Sequence, residues 1–364
     1  MSVPLATPAL RLAITAQALT HGGGAERYAR DVVAGLLALG LRPLVIARKI
    51  DTELPQAQAA QCVALRLRGV PRLLRSAAFD WAAARVLRRE GANCVFAINH
   101  SRHALVAICG GTHPGFLQAM GRRAGWADRS QIALELRTYA HARYIVAHSQ
   151  RMRDELLQFY DLPREKIHVL YPPVDTSRFH PLPAQERLQA RQRLGFPPDR
   201  PVFLLASTGH VRKGLPELAA LFAQNDRLGL LAVAGRPLPY PMRNVLQLGY
   251  RADIETVYAA ADFTVVASRY EPFGLVAVES VLCGTPVVIA DVVGSGEVIA
   301  QDAKIAYAAS DPQGLAMALQ SAAQRAGQPG ARLDCPMALL HYQPDIAAHV
   351  SALMALFQTV FDGA

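Results

Sequence analysis

Residues 267–280 read ASRYEPFGLVAVES and follow a short apolar run. The run predicts a buried strand, and the segment after Pro272 predicts a helix, because no further proline interrupts it and a helix tolerates proline in its first turn. The backbone N–H groups of Gly274, Leu275 and Val276 would then point out of the helix N-terminus. That end of a helix binds anions well, so the stretch predicts an anion site on a strand–loop–helix unit.

The same alternation extends along the whole chain. Apolar runs rich in Val, Ile, Leu and Ala alternate with helical stretches, which predicts an α/β fold with buried parallel strands and crossover helices. In the first half the predicted strands are 10–16, 42–47, 94–99, 106–109, 144–147 and 168–170. In the second half they are 202–206, 230–234, 245–248, 263–267 and 286–290.

The length of 364 residues predicts two domains, because one hydrophobic core rarely grows beyond roughly 250 to 300 residues. Residues 171–175 read YPPVD, and two adjacent prolines favour an extended linker. We therefore predict a first domain over residues 1–172 and a second over residues 173–341, facing each other across a cleft. The last segment, residues 342–364, should contain a helix over 346–361. We expect this helix to pack back toward the first domain.

The composition narrows the class of protein. No apolar run approaches the roughly 20 residues of a membrane span, and residues 1–10 lack the pattern of a leader, so we expect a soluble, cytoplasmic protein. Five cysteines without CxxC spacing indicate neither disulfides nor zinc. Residues 1–172 hold 23 Lys or Arg against 12 Asp or Glu, whereas the remainder holds 15 against 17. The basic half favours an anionic partner such as phospholipid, phosphorylated glycan or nucleic acid; the alternative is a merely soluble surface.

Two glutamates in the opening stretch are candidates for binding a sugar. They lie eight residues apart, which puts Glu271 at the mouth of the helix and Glu279 about two turns along it. A carboxylate suits two vicinal hydroxyls, because its two oxygens can accept both hydrogen bonds. The alternative is a pair of solvated helix charges, which the apolar surroundings disfavour.

This pattern resembles the retaining GT-B glycosyltransferases of the family 4 type, most of all the lipopolysaccharide-core glucosyltransferases, over nearly the whole chain. The hallmark of two glutamates separated by seven residues, with Phe273 and Gly274 between them, is present, and CGTPVV follows at 283–288. The resemblance implies two Rossmann-like domains and a nucleotide-sugar donor, with UDP preferred. It also implies that Glu271 contacts donor-sugar hydroxyls, that Glu279 holds the ribose, and that residues 273–276 belong to the donor site.

A second match to that family is GHVRKG at 209–214, directly after the first predicted strand of the second domain. Ligands bind at the carboxyl ends of strands in open α/β sheets. Arg212 offers bidentate contacts and Lys213 a compact charge, so together they could neutralise a diphosphate. The alternative is an exposed basic turn, and many family members separate the two cations by several residues.

Two further matches lie in the first domain. HGGGAER at 21–27 lacks the GxGxxG pattern of dinucleotide enzymes, and the resemblance makes Gly23 and Gly24 candidates for a donor-binding loop. CGGTHP at 109–114 places His113 on the predicted cleft wall, where it could bind a sugar hydroxyl or orient the acceptor. A lone histidine is otherwise more often structural.

Taken together, the resemblance implies a retaining hexosyltransferase without cofactor or metal, since no DxD-type pair accompanies the motifs. The expected acceptor is a glycan or glycolipid, with the lipopolysaccharide core preferred. The alternatives are a nucleotide-sugar 2-epimerase of the same fold and a non-enzymatic basic membrane-binding module; no motif that binds nucleic acid is present. Arginines interleaved with Leu or Trp at 65–75 and 122–129 predict docking to the inner face of the cytoplasmic membrane; the alternative is that they only solvate helix faces or bind phosphates on the acceptor.

Overall fold

Two parallel sheets, one in each half of the chain, carry the fold in the computed structural model, which describes residues 10–71 and 74–362. The first sheet has the order β3-β2-β1-β4-β5-β6-β7. Its strands are β1 (Leu12–Leu19), β2 (Leu44–Ile50), β3 (Gln61–Ala64), β4 (Cys94–Ala97), β5 (Val106–Cys109), β6 (Tyr144–Ala147) and β7 (Ile167–Val169).

The second sheet has the order β10-β9-β8-β11-β12-β13. Its strands are β8 (Val202–Ser207), β9 (Leu230–Gly235), β10 (Val245–Gly249), β11 (Phe263–Val266), β12 (Val287–Ala290) and β13 (Lys304–Tyr307). Neighbouring strands are parallel in both sheets. The predicted fold class of two Rossmann-like α/β domains is therefore confirmed.

Helices cover the faces of both sheets. In the first domain they are α1 (Gly24–Ala38), α2 (Pro55–Ala59), α3 (Arg75–Arg89), α4 (His113–Ala119), α5 (Trp126–His141) and α6 (Gln150–Phe159). The helices after the predicted boundary at Pro172 are α7 (Ala184–Arg193), α8 (Leu215–Gln224), α9 (Ile254–Ala260), α10 (Leu275–Leu282), α11 (Gly314–Arg325) and α12 (Ile346–Asp362).

The predicted strands coincide with observed ones, with small shifts at their ends. The sequence missed β3 and β13, which are edge strands with largely half-buried or exposed residues. Each of the two spans only four residues and begins with a polar one, Gln61 or Lys304, so neither gives the continuous apolar run that identifies a strand buried on both faces. Some residues on which predictions fall lie outside the described residues. They are residues 1–9, where we expected no leader, Arg72 and Leu73 of one arginine cluster, and residues 363–364.

The last helix, α12, packs on α1 of the first domain. Its Val350, Leu353 and Phe357 are buried in the same apolar cluster as the strands and helix of the first sheet. Gly35 of α1 allows this contact, because a Cβ there would lie 2.5 Å from Val350 Cγ2. The predicted boundary at Pro172 falls in the extended segment after β7, and the exact domain bounds stay a prediction.

Candidate active site

A cleft of about 870 Å³ lies between the two domains, where turns at the carboxyl ends of strands from both sheets face each other. This edge is where parallel α/β domains bind ligands. The structure brings all of the predicted site residues to this one cleft. They are Gly23, Gly24, His113, Arg212, Lys213, Glu271, Phe273, Gly274, Leu275, Val276 and Glu279.

Glu271 lies at the centre of a cationic cluster. Its Oε2 accepts hydrogen bonds from Arg212 Nη1 at 3.0 Å, from Lys213 Nζ at 2.5 Å and from Ser268 Oγ at 3.1 Å. Burial opposes ionisation of this carboxyl, but Lys213 and then Arg212 outweigh burial and lower the pKa of Glu271 below its ordinary 4.5. Glu271 is therefore ionised, and the two cations are held in place beside it.

Two glycines bring these turns together. Gly214 precedes α8 in a left-handed conformation (φ +76°), and a Cβ there would lie 2.4 Å from the carbonyl oxygen of Ala267. Gly274 precedes α10 with φ +89°, and a Cβ there would lie 2.9 Å from Glu271 Cγ. A side chain at either position would push the loop away, so glycine is required for the cations and the carboxylate to meet.

Glu279 forms an ion pair that crosses the cleft. Its side chain is only 3% exposed; Oε1 accepts from Arg27 of α1, and Oε2 accepts from the Tyr258 hydroxyl at 3.0 Å. The Arg27 guanidinium also lies over the Phe179 ring, 5.3 Å from its centroid. Burial lowers the pKa of Arg27. A charge in such a place needs its partner, so the pair ties α1 of the first domain to α10 of the second.

The first-domain side of the cleft carries the predicted histidine and glycine loop. His113 Nε2 lies 2.8 Å from Asp128 Oδ1, and the His113 backbone N–H donates to Glu135 at 2.9 Å. Gly24, in the first turn of α1, faces Leu275 across the cleft, since a Cβ on it would lie 4.0 Å from Leu275 Cδ1. The glycine loop and the N-terminus of α10 therefore oppose each other closely, and both line the cleft.

Phe273, one of the predicted donor-site residues, supports the loop that carries Glu271. The Phe273 side chain is buried, and its ring packs against the rings of Tyr171 and Tyr342. It therefore fixes the loop that carries Glu271 and presents no polar group to a ligand. Sequence analysis missed Arg27, although it ends the glycine-rich stretch 21–27 and lies in the first turn of α1 at the cleft.

His148, which the sequence places after β6 and which was not among the predicted site residues, also lines the cleft. Burial lowers its pKa to about 3. Its Nε2 has no hydrogen-bond partner within the described residues, and its ring contacts Tyr28. Neither a metal cluster of three or more His, Cys, Asp or Glu nor a helix able to span a membrane occurs in the described part of the chain.

Sequence comparisons match both halves of the chain to glycosyltransferases. The Glycosyltransferase Family 4 model matches residues 22–178, and the Glycosyl transferases group 1 model matches residues 206–325. A probable transglycosylase of Burkholderia thailandensis is 43% identical over 350 residues, which is 95% of this chain and 96% of that protein. D-inositol 3-phosphate glycosyltransferase 1 of Catenulispora acidiphila is 34% identical over 242 residues, which is 60% of this chain and 56% of that protein.

Solved structures share the fold. WaaG, a glycosyltransferase involved in lipopolysaccharide biosynthesis, superposes with a TM-score of 0.80 at 19% identity, covering 94% of this chain and 98% of that chain. Anabaena HepE in complex with UDP and glucose superposes with a TM-score of 0.75 at 20% identity, covering 96% of this chain and all of that chain. At these identities the likeness shows the fold.

Proposed function

The chain belongs to the family 4 glycosyltransferases of the GT-B type, and we propose that it transfers a hexose from a UDP-sugar, with retention of configuration, to a glycan or glycolipid acceptor. The observation that carries the proposal is the cluster of Glu271, Arg212 and Lys213 at the mouth of α10, in a cleft between two Rossmann-like domains.

The cationic cluster suits the donor diphosphate. Arg212 and Lys213 lie beside the N-terminus of α10, so two side-chain charges and the helix dipole act on the same part of the cleft. Fixed charges of this kind stabilise the charge that grows on a leaving phosphate better than mobile water does. They also supply what a divalent cation supplies elsewhere, and we therefore propose catalysis without a metal.

The two carboxylates suit the two sugar moieties of the donor. Glu271 lies at the mouth of α10, where a hexose attached to the diphosphate would lie, and Glu279 lies deeper, beside Tyr258. We assign donor-sugar hydroxyls to Glu271 and the ribose to Glu279. The fold relative HepE carries UDP and glucose in its structure, which supports a UDP-hexose as the donor.

The proposed transfer takes place on one face of the sugar. The acceptor hydroxyl oxygen bonds to the anomeric carbon as the bond from that carbon to the diphosphate breaks. The bonding electron pair leaves on the phosphate oxygen, and the hydroxyl proton passes to that phosphate. Arg212 and Lys213 stabilise the departing charge, while His113, held by Asp128, orients the acceptor from the opposite wall.

We propose a lipopolysaccharide-core acceptor and work at the inner face of the cytoplasmic membrane. WaaG supports the acceptor class. Arg122, Arg123 and Arg129 are exposed around Trp126, which is 67% exposed. Each such charge contributes roughly 1 kcal/mol near an anionic surface, and tryptophan favours the headgroup region. The arginine cluster at 65–75 offers less apolar surface to a membrane, because Leu65 and Leu67 pack on the core of the first domain.

A donor screen with the purified protein tests the proposal. UDP-glucose, UDP-galactose, UDP-N-acetylglucosamine, GDP-mannose and ADP-glucose are each offered with lipopolysaccharide-core oligosaccharide, and released nucleotide and glycosylated product are both measured. Transfer from a UDP-hexose with an α-linked product from an α-linked donor supports the proposal. Transfer with inversion contradicts retention. An epimerised free sugar without transfer contradicts the proposal as a whole and favours the 2-epimerase alternative.

A further inference from the structure

Tyr270 directly precedes Glu271 in the second domain, but its side chain lies in the first domain. The residue is 8% exposed and belongs to the apolar cluster built from β5, β6 and the helices around them. Its ring meets the Phe116 ring edge-on, with centroids 6.1 Å apart. The loop that carries Glu271 is therefore anchored in the domain on the other side of the cleft.

Within the part of the chain that the structure describes, the hydrogen-bond partners of the Tyr270 hydroxyl are first-domain groups. The Thr112 backbone N–H donates to it at 2.8 Å, and the hydroxyl donates to Glu155 Oε1 at 2.7 Å. The Thr112 carbonyl oxygen is a second acceptor at 3.1 Å. Thr112 Oγ1 also donates to Glu155. Burial raises the pKa of Tyr270, so its hydroxyl keeps the proton that it donates.

The residue on the other side of Glu271 is held by the first domain as well. Ser149 Oγ donates to the Pro272 carbonyl oxygen at 2.8 Å. Gly111 permits this approach: its φ is +149°, and a Cβ there would lie 3.0 Å from Pro272 Cγ and 3.4 Å from the Tyr270 hydroxyl. Both chain neighbours of the donor-site carboxylate thus contact the turn after β5 or the start of α6.

Tyr270 also contacts the proposed donor-binding residues of its own domain. Arg212 Nη1 donates to the Tyr270 carbonyl oxygen at 2.9 Å and to Glu271 Oε2 at 3.0 Å. On the far side, Thr112 caps the N-terminus of α4, whose first residue is His113. Tyr270 therefore links the two sides of the cleft. It is hydrogen-bonded to Arg212 and adjacent in sequence to Glu271, and its hydroxyl is hydrogen-bonded to Thr112, which precedes His113.

We propose that Tyr270 is a positioning residue: docking of its hydroxyl between Thr112 and Glu155 sets Glu271, and the donor sugar that it binds, against the acceptor wall at His113. This rests on the proposed function. When the contact is lost, the nucleotide still binds to Arg212, Lys213 and the helix N-terminus, but the sugar and the acceptor are no longer aligned. Misalignment at the reacting centre slows the chemical step more than it weakens binding.

Tyr270→Phe tests the proposal because it removes the hydroxyl and keeps the ring in its apolar cluster. We expect kcat for sugar transfer to fall at least about tenfold, while the Kd for UDP, measured by calorimetry, changes by less than about twofold. The Thr112 amide, measured by hydrogen exchange, should exchange roughly fivefold faster or more, because its acceptor is gone.

Tyr307→Phe is the control. It also removes one tyrosine hydroxyl, but from half-buried Tyr307 in β13, an edge strand of the second sheet, and Tyr307 is not among the residues that line the cleft. It should leave kcat and Thr112 exchange within about twofold of the wild type. Glu155→Gln, which keeps an acceptor for Tyr270, should retain more activity than Glu155→Leu, which keeps none.

The outcomes separate the inference from the proposed function. Unchanged kcat in Tyr270→Phe overturns the positioning role, even if Thr112 exchange accelerates. An equal loss of kcat and UDP affinity, together with a lower melting temperature, also overturns it, because that pattern indicates general loss of structure. If the wild type binds no nucleotide and transfers no sugar, the proposed function fails, and Thr112 exchange alone then decides whether the interdomain contact forms in solution.

Discussion

Replacing Glu271 with glutamine tests the electrostatics of the cleft. Glutamine keeps the shape and an acceptor oxygen but removes the charge that faces Arg212 and Lys213. The side chains of Glu271 and Lys213 are 14% and 10% exposed, so water replaces the lost carboxylate poorly. Removing one partner of a buried pair costs about 3–5 kcal/mol. Because the Arg212 side chain is 31% exposed and partly screened, we expect the free energy of unfolding to fall by about 2–4 kcal/mol at pH 7.

The pH dependence gives a second measurement of the same effect. The folded-state pKa of Glu271 lies below its ordinary 4.5, so its contribution to stability is present above pH 4.5 and is lost as the pH falls through the lower folded-state pKa. The stability difference between wild type and Glu271→Gln should therefore be largest near neutral pH and shrink below pH 4.5. Urea unfolding followed by fluorescence, repeated over a pH series, measures it.

UDP should partly restore the missing charge. A diphosphate beside Arg212 and Lys213 supplies the negative charge that Glu271→Gln lacks, so UDP should raise the melting temperature of the variant more than that of the wild type. Sugar transfer should nevertheless fall at least about tenfold, because the variant binds the donor sugar less well. A variant as stable as the wild type at pH 7, or one with wild-type turnover, would refute the electrostatic reasoning.

Three further predictions concern the ribose, the metal and the membrane. Glu279→Ala should lower transfer at least about tenfold in a folded protein and weaken UDP binding, since the ribose loses its carboxylate; wild-type turnover would remove that assignment. EDTA should leave the transfer rate unchanged, and inhibition that added Mg²⁺ or Mn²⁺ reverses would contradict catalysis without a metal. The protein should co-sediment with phosphatidylglycerol vesicles and dissociate at high salt, and replacing Arg122, Arg123 and Arg129 with Ser should weaken that binding. Equal binding to neutral vesicles would contradict docking by charge.

Much of the fold follows from local patterns in the sequence. Buried strands such as β11 and β12 consist of apolar runs, and the glycine turns at Gly214 and Gly274 mark where strands pass into helices. Those patterns locate the carboxyl ends of the strands, and with them the cleft residues Arg212, Lys213 and Glu271. The edge strands β3 and β13 escaped prediction because each has only four residues and begins with a polar one, which gives no such run.

The partners of the site residues could not be found in this way. Arg27 lies 252 positions from Glu279, and Thr112 lies 158 positions from Tyr270. No local periodicity relates residues so far apart, since their contact depends on how two separately folded sheets meet. For Arg27, its positive charge was the one sign in the sequence of a role at the cleft. A buried carboxylate such as Glu279 requires a cation or several hydrogen-bond donors nearby.

These long-range contacts make the proposed donor site a property of both domains. Glu271 and Glu279 both belong to the second domain, but the neighbours of the first carboxylate and the ion-pair partner of the second come from the first domain. If α1 moved away, Glu279 would keep Tyr258 as its remaining described donor and would open to water. If the turn at Thr112 moved away, the loop that carries Glu271 would lose the hydroxyl anchor of Tyr270. If the proposed assignment holds, the second domain alone has the residues to bind a nucleotide-sugar but lacks the contacts that align the sugar for transfer, because alignment depends on the meeting of the two sheets.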